Sequence, residues 1–256
     1  MHSYAQTNIQ LFNQLQREGY SNTDISCIVN AYKLAMTLFT GCFRPSGKTF
    51  IAHVVGTASI LSSLHVPTKV VAASLIHAAY ANNDFGNGQR GITDAKRQQI
   101  RSAVGEEVEE YVARYKAFKW NEQNLTKISD RLDTLDSIDR NVVLMRLANE
   151  LEEHLDLGLL YCGEGKYQQY SDRAGATIIE MAQKLGFPTL AIALATVFEE
   201  THQAKIPVEY NHQNSSLLIV PKSYQRRLFP VRHQLSNGYR RLRSAIMRRL
   251  GHLHNA

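Results

Sequence analysis

Apolar residues recur along the chain at steps of three and four, which is the spacing of a helix face rather than of a strand. Ile9, Phe12 and Leu15 mark a first amphipathic helix. Ile25, Ile28, Val29, Tyr32, Leu34 and Ala35 mark a second, with Ser21-Asn22-Thr23-Asp24 as its start signal. The stretch Arg44-Pro45-Ser46-Gly47 breaks the chain before a helix that carries His53. From Pro67 the run Val70, Val71, Ala73, Leu75 and Ile76 is apolar on most faces and predicts a central helix that carries His77. A loop rich in Asn and Gly follows, Asn82 to Gly91, in a place suited to substrate contacts. Residues 104–118 and 138–161 predict further helices, the second with Leu144, Leu147, Leu151, Leu155 and Leu159 along one side. Residues 172–200 predict two more, broken at Gly186-Phe187-Pro188. No alternating strand pattern, internal repeat or low-complexity tract interrupts this order, so the expected fold class is all-α.

Composition narrows the classes. With 256 residues, 44% of them hydrophobic, the chain can bury one large helical core. No run approaches the length of a membrane span, and the first residues carry neither a basic nor an apolar signal region, so a cytoplasmic protein is expected. Cys27, Cys42 and Cys162 are odd in number and widely spaced, which suits free thiols better than a disulfide framework or a zinc site. The net charge of +6 is uneven: nine Lys or Arg and no acid lie in residues 221–256, while the rest has twenty basic and twenty-three acidic residues. Residues 1–212 are therefore expected to form one helical domain, and 213–256 a basic amphipathic tail. Residues 221–250 suit an anionic membrane surface, peripherally bound, or an acidic face of this chain or of a second subunit; nucleic acid fits less well.

Candidate chemistry lies in the two histidines. Arg44-Pro45-Ser46-Gly47-Lys48-Thr49-Phe50-Ile51-Ala52-His53 is followed by Leu75-Ile76-His77-Ala78, then by Val104-Gly105-Glu106-Glu107-Val108, then by Leu147-Ala148-Asn149-Glu150-Leu151. In order and spacing these segments resemble the HD superfamily, and within it the hydrolase domain of the RelA/SpoT enzymes, over residues 30–160. The resemblance implies an HD-domain-like helical bundle, a pocket lined by His53, His77 and Asn149, and a divalent metal held in part by His53 and His77. It implies nucleotide contacts at Arg44 and Ser46. Arg44 suits stacking on a base and a forked hydrogen bond to a phosphate, with capping of the preceding helix as the alternative.

The departures fall on the charged ligands. Ala78 stands where the family has an acid after the histidine, Ala81-Asn82 where it has Glu-Asp, and Asn149 where it has the last metal-binding Asp. Two imidazoles and an amide carry no negative charge, and hard cations want charged oxygens. Asp84, and near Asn149 Glu150 or Glu153, are the residues that would restore charge. Tyr80, one turn after His77, is a candidate phenol for the same pocket. The expectation is a diverged site acting on a small, phosphorylated or nucleotide-like molecule, with His53 or His77 as acid or base, and not a standard guanosine tetraphosphate hydrolase. The alternative is a catalytically inactive module that binds a ligand or partner and is localised by its tail. For the histidines themselves, a core role with hydrogen bonds to backbone or to an acid is the competing reading.

Overall fold

The structure, a computed structural model, describes residues 4–44, 46–82, 91–162 and 166–205. Asp84, the boundary at 212/213 and the basic tail with its 221–250 segment lie outside the described residues. Apart from one isolated antiparallel bridge between Phe43 and Thr49, the regular structure among the described residues is helical. The helices are α1 Asn8–Arg17, α2 Asn22–Phe39, α3 Phe50–Ser63, α4 Thr68–Ser74, α5 Ala79–Asn82, α6 Asp94–Val104, α7 Glu106–Ala117, α8 Glu122–Asp130, α9 Ser137–His154, α10 Lys166–Lys184 and α11 Pro188–Gln203. Two 3-10 turns, Leu132–Thr134 and Gly158–Cys162, follow α8 and α9. The all-α fold class stands as expected, with α3, the α4–α5 segment and α9 coming together.

Short polar residues set the helix starts. Thr7, Ser21, Thr49, Thr93, Asn121 and Asp136 each accept a hydrogen bond from the backbone amide three residues on, which satisfies one otherwise unpaired donor of the first turn. Thr7 with Gln10 and Ser21 with Asp24 complete reciprocal capping boxes. The first helices are tied down by a polar seam: Gln14 donates to Ser62 Oγ at 2.9 Å and to the Ser59 carbonyl at 3.0 Å.

α3 is buried on nearly every side, and residues 70–74 of α4 are buried without exception. These two form the centre. α9 packs on α3, with α7 and α11 beside it, and α10 pairs with α11. Among the described residues no helix is long and apolar enough to cross a membrane.

Three elements differ from expectation. The central helix expected from Pro67 to carry His77 stops at Ser74: Ile76 N–H bonds to Ala73 O and Ala79 N–H to Ile76 O, so the chain tightens into successive three-residue turns that carry His77. The stretch 104–118 is the end of α6 and all of α7, divided at Gly105, whose φ of +90° a side-chain-bearing residue rarely adopts. The expected helix 138–161 ends at His154, because Leu157 turns to φ +54° and a 3-10 turn follows. The break at Gly186 before Pro188 stands as expected.

Candidate functional site

His53 faces inward from the first turn of α3 and is 1% exposed. Its Nδ1 is hydrogen-bonded to one carboxylate oxygen of Glu152 on α9, and Lys48 binds the other oxygen. Gly56, one turn after His53, makes room for this: a Cβ there would stand 2.8 Å from Glu152 Cγ and Oε1. Burial sets the protonation of the pair. It pushes Glu152 up to about 8, against the pull of Lys48, and His53 down to about 3, with Arg44 adding to the fall. His53 Nδ1 is committed to Glu152, which leaves Nε2 as the remaining ring nitrogen. That Nε2 is buried and has no hydrogen-bond partner among the described residues.

His77 reaches the same place from the tight turn after α4. The rings of His53 and His77 have centroids 5.4 Å apart and lie nearly perpendicular. His77 Nδ1 pairs with the Ser74 carbonyl at 2.7 Å, so Nδ1 carries the proton and Nε2 the lone pair. Burial, and next the neighbouring His53, hold the His77 pKa well below the usual histidine range.

α9 supplies most of the remaining groups. Asn149 approaches His53 and donates to Glu153 at 3.0 Å, and Glu153 also pairs with Arg44. Arg44 and Lys48 come from the short turn that the Phe43–Thr49 bridge closes, with Arg44 N–H bonding to Lys48 O at 2.8 Å. Glu150 is buried, accepts from Trp120 Nε1 at 2.7 Å, and is pushed up to about 7 by burial.

The expected site residues separate accordingly. The structure brings together His53, His77, Asn149 and Arg44. Ser46 lies instead against Gly158, its Cβ 2.9 Å from where a Gly158 Cβ would stand. The Tyr80 hydroxyl turns to α7 and donates to Glu109 at 2.6 Å, within a cluster completed by Arg97 and Arg101. Two further residues of the centre went unread in the sequence. Glu152 is one turn from Asn149 on α9, a spacing that would have pointed to it. Tyr115 of α7 stacks on His77 with centroids 4.8 Å apart, and nothing in its local sequence signals that.

A divalent metal fits this set poorly. Its donors are two imidazole nitrogens and one amide, the cations Arg44, Lys48 and Arg146 act on the histidines, and Glu152 and Glu153 are engaged by Lys48 and Arg44. Among the described residues no three of His, Cys, Asp and Glu gather as a metal-binding group. Hard cations need several charged oxygens.

Comparison with known proteins adds little on chemistry. A family described only as a domain of unknown function, DUF6817, matches residues 37–119. No curated protein matches the chain. A solved structure described as a metazoan ortholog of SpoT that hydrolyzes ppGpp and plays a role in starvation responses is similar at 17% identity and a TM-score of 0.48. The match covers 70% of this chain and 96% of that one.

Proposed function

We propose that the chain is a diverged HD-type domain whose histidine-lined site binds a small phosphorylated or nucleotide-like molecule and acts on it without the metal-dependent hydrolysis of the RelA/SpoT enzymes. One observation carries the reading: both imidazoles are anchored through Nδ1, by Glu152 and by the Ser74 carbonyl, their ring centroids lie 5.4 Å apart, and His53 Nε2 is buried with no hydrogen-bond partner among the described residues. A histidine held in this way is oriented and tautomer-fixed for proton transfer at the other nitrogen. Arg44 and Lys48 at the edge suit an anionic ligand. The second reading, a binding module without catalysis, is favoured by Ala78 and Asn149, which stand where the resembling family has carboxylates.

The test is ligand-induced stabilisation of the full chain against pyrophosphate, nucleoside mono- and diphosphates and guanosine tetraphosphate, with and without Mn²⁺. Binding that is lost in His53→Gln and His77→Gln, and indifferent to Mn²⁺, is the expected result. Mn²⁺-dependent turnover of guanosine tetraphosphate would overturn the metal-free reading, and no shift with any phosphorylated compound would overturn the site.

A further inference from the structure

Arg44 and Lys48 are the cations that an anionic ligand would meet at the edge of this site, and both are already paired. Lys48 is shared between Glu152 and Asp156, the latter at 3.3 Å, and Arg44 Nη2 is paired with Glu153 Oε1. Glu152 and Glu153 come from the last turn of α9, and Asp156 stands two residues beyond it. Two cations therefore face three acids, and this edge has no surplus positive charge to draw in an anion. A phosphoryl group reaches Arg44 or Lys48 only by exchange with one of those carboxylates.

The three acids differ in what their departure disturbs. Glu152 is 1% exposed and bonded at both oxygens, so withdrawing it would also release His53. Asp156 is 44% exposed, but its departure leaves Lys48 held by Glu152. Glu153 is 18% exposed, and its two hydrogen bonds among the described residues, from Arg44 and from Asn149 at 3.0 Å, both fall on Oε1. Turned outward, its carboxylate regains water, and a partly open ion pair contributes little to the fold.

Arg44 keeps its place without that partner. Its guanidinium lies over the Phe50 ring, 5.8 Å from the centroid, and its backbone N–H bonds to Lys48 O at 2.8 Å. Phe50 meets His53 edge-on with centroids 5.5 Å apart, so a single ring separates the guanidinium from the first histidine. A phosphoryl group on Arg44 is thus held within a short reach of the imidazoles.

We propose that Glu153 is an internal counter-anion of the site: its carboxylate holds on Arg44 the place that a phosphoryl group of the ligand takes, and binding exchanges one anion for the other. This rests on the reading given under Proposed function and goes beyond it in naming the group that the ligand displaces. A phosphoryl dianion is suited to the exchange, since it brings more charge than a carboxylate to the same guanidinium fork.

The experiment measures pyrophosphate and guanosine diphosphate binding to the full chain by calorimetry, in the wild type, Glu153→Gln, Glu153→Asp, Arg44→Gln, the Arg44→Gln, Glu153→Gln double variant, Glu199→Gln and His77→Gln. Glutamine keeps an oxygen for Asn149 and removes the charge, so Glu153→Gln is expected to melt close to the wild type and to bind pyrophosphate about fivefold more tightly, the worth of a partly open ion pair. Glu153→Asp, which draws the charge back by one methylene, should show a smaller gain in the same direction. Glu199→Gln makes the same change of charge at an exposed position of α11 and should bind like the wild type. In the Arg44→Gln background the gain should vanish. Affinity that is unchanged or weaker in Glu153→Gln, alongside binding lost in His77→Gln, overturns the exchange and leaves the site standing. A gain that persists without Arg44, or that Glu199→Gln reproduces, overturns it as well. Binding by Glu153→Gln where the wild type shows none supports the exchange, and no response from either overturns both readings.

Discussion

Glu152 touches Lys48 with one oxygen and His53 with the other, and its position depends on a residue that contributes no atom of its own. A methyl group at Gly56 would stand 2.8 Å from the Glu152 side chain and 3.0 Å from Gln6 Nε2. In a helix interior Gly→Ala ordinarily stabilises by about 1 kcal/mol. Here the crowded partner is buried and bonded at both oxygens, so Gly56→Ala should destabilise instead, by about 1 kcal/mol net, a fall of roughly 2–4 °C in the melt. A thermal melt of Gly56→Ala that rises would show that Glu152 is free to move. The histidines were legible from their spacing and motif frames. Glu152 was not, because its frame holds three glutamates among four residues, and only packing decides which one meets His53. Tyr80 misled for a related reason: position one turn after His77 says nothing of direction once the helix tightens, and Glu109 with its two arginines offered the phenol a stronger acceptor.

Among the elements, helical spacing read the core well and read boundaries less well. α2, α3 and the α10–α11 break followed from caps, Gly and Pro. The tight turns at His77 did not, since Leu75, Ile76 and His77 are all compatible with a continuing helix; the departure comes from burial on every side and from the His77 ring taking the Ser74 carbonyl. The basic amphipathic tail expected at 213–256 lies outside the described residues. The described core already closes between Ala5 and Phe198, so a chain ending at Ser216 is expected to keep its helical circular dichroism and a cooperative melt, and to lose any binding to anionic vesicles that the full chain shows. A truncated chain without a cooperative transition would make the basic segment part of the core.

Over the whole molecule, the buried titratable groups fix a pH window. Glu150 and Glu152 have folded pKa values of about 7 and about 8 against 4.5 unfolded, so the stability they contribute is complete below pH 4.5 and is lost as pH rises through those values. His53 and His154, at about 3 and about 4 against 6.5, act in the opposite sense: their contribution is complete above pH 6.5 and is lost as pH falls toward 4 and 3. Between pH 4.5 and 6.5 the two slopes oppose one another, with His77, also held low, adding to the histidine side. Melting temperature should rise gently there to a maximum near pH 6.5 and decline toward pH 8, and Glu152→Gln should soften the alkaline decline. A melting temperature that climbs from pH 6.5 to 8.5 would refute this. The acids of α9 also bear on the order of assembly. Glu152 and Glu153 find their partners Lys48, His53 and Arg44 at sequence separations of 104, 99 and 109 residues, so the helix cannot seat before a segment made much earlier is already in place. During synthesis from the N-terminus the turn with Arg44 and Lys48 precedes α9 by about a hundred residues, so these ion pairs are expected to close only after α9 has emerged.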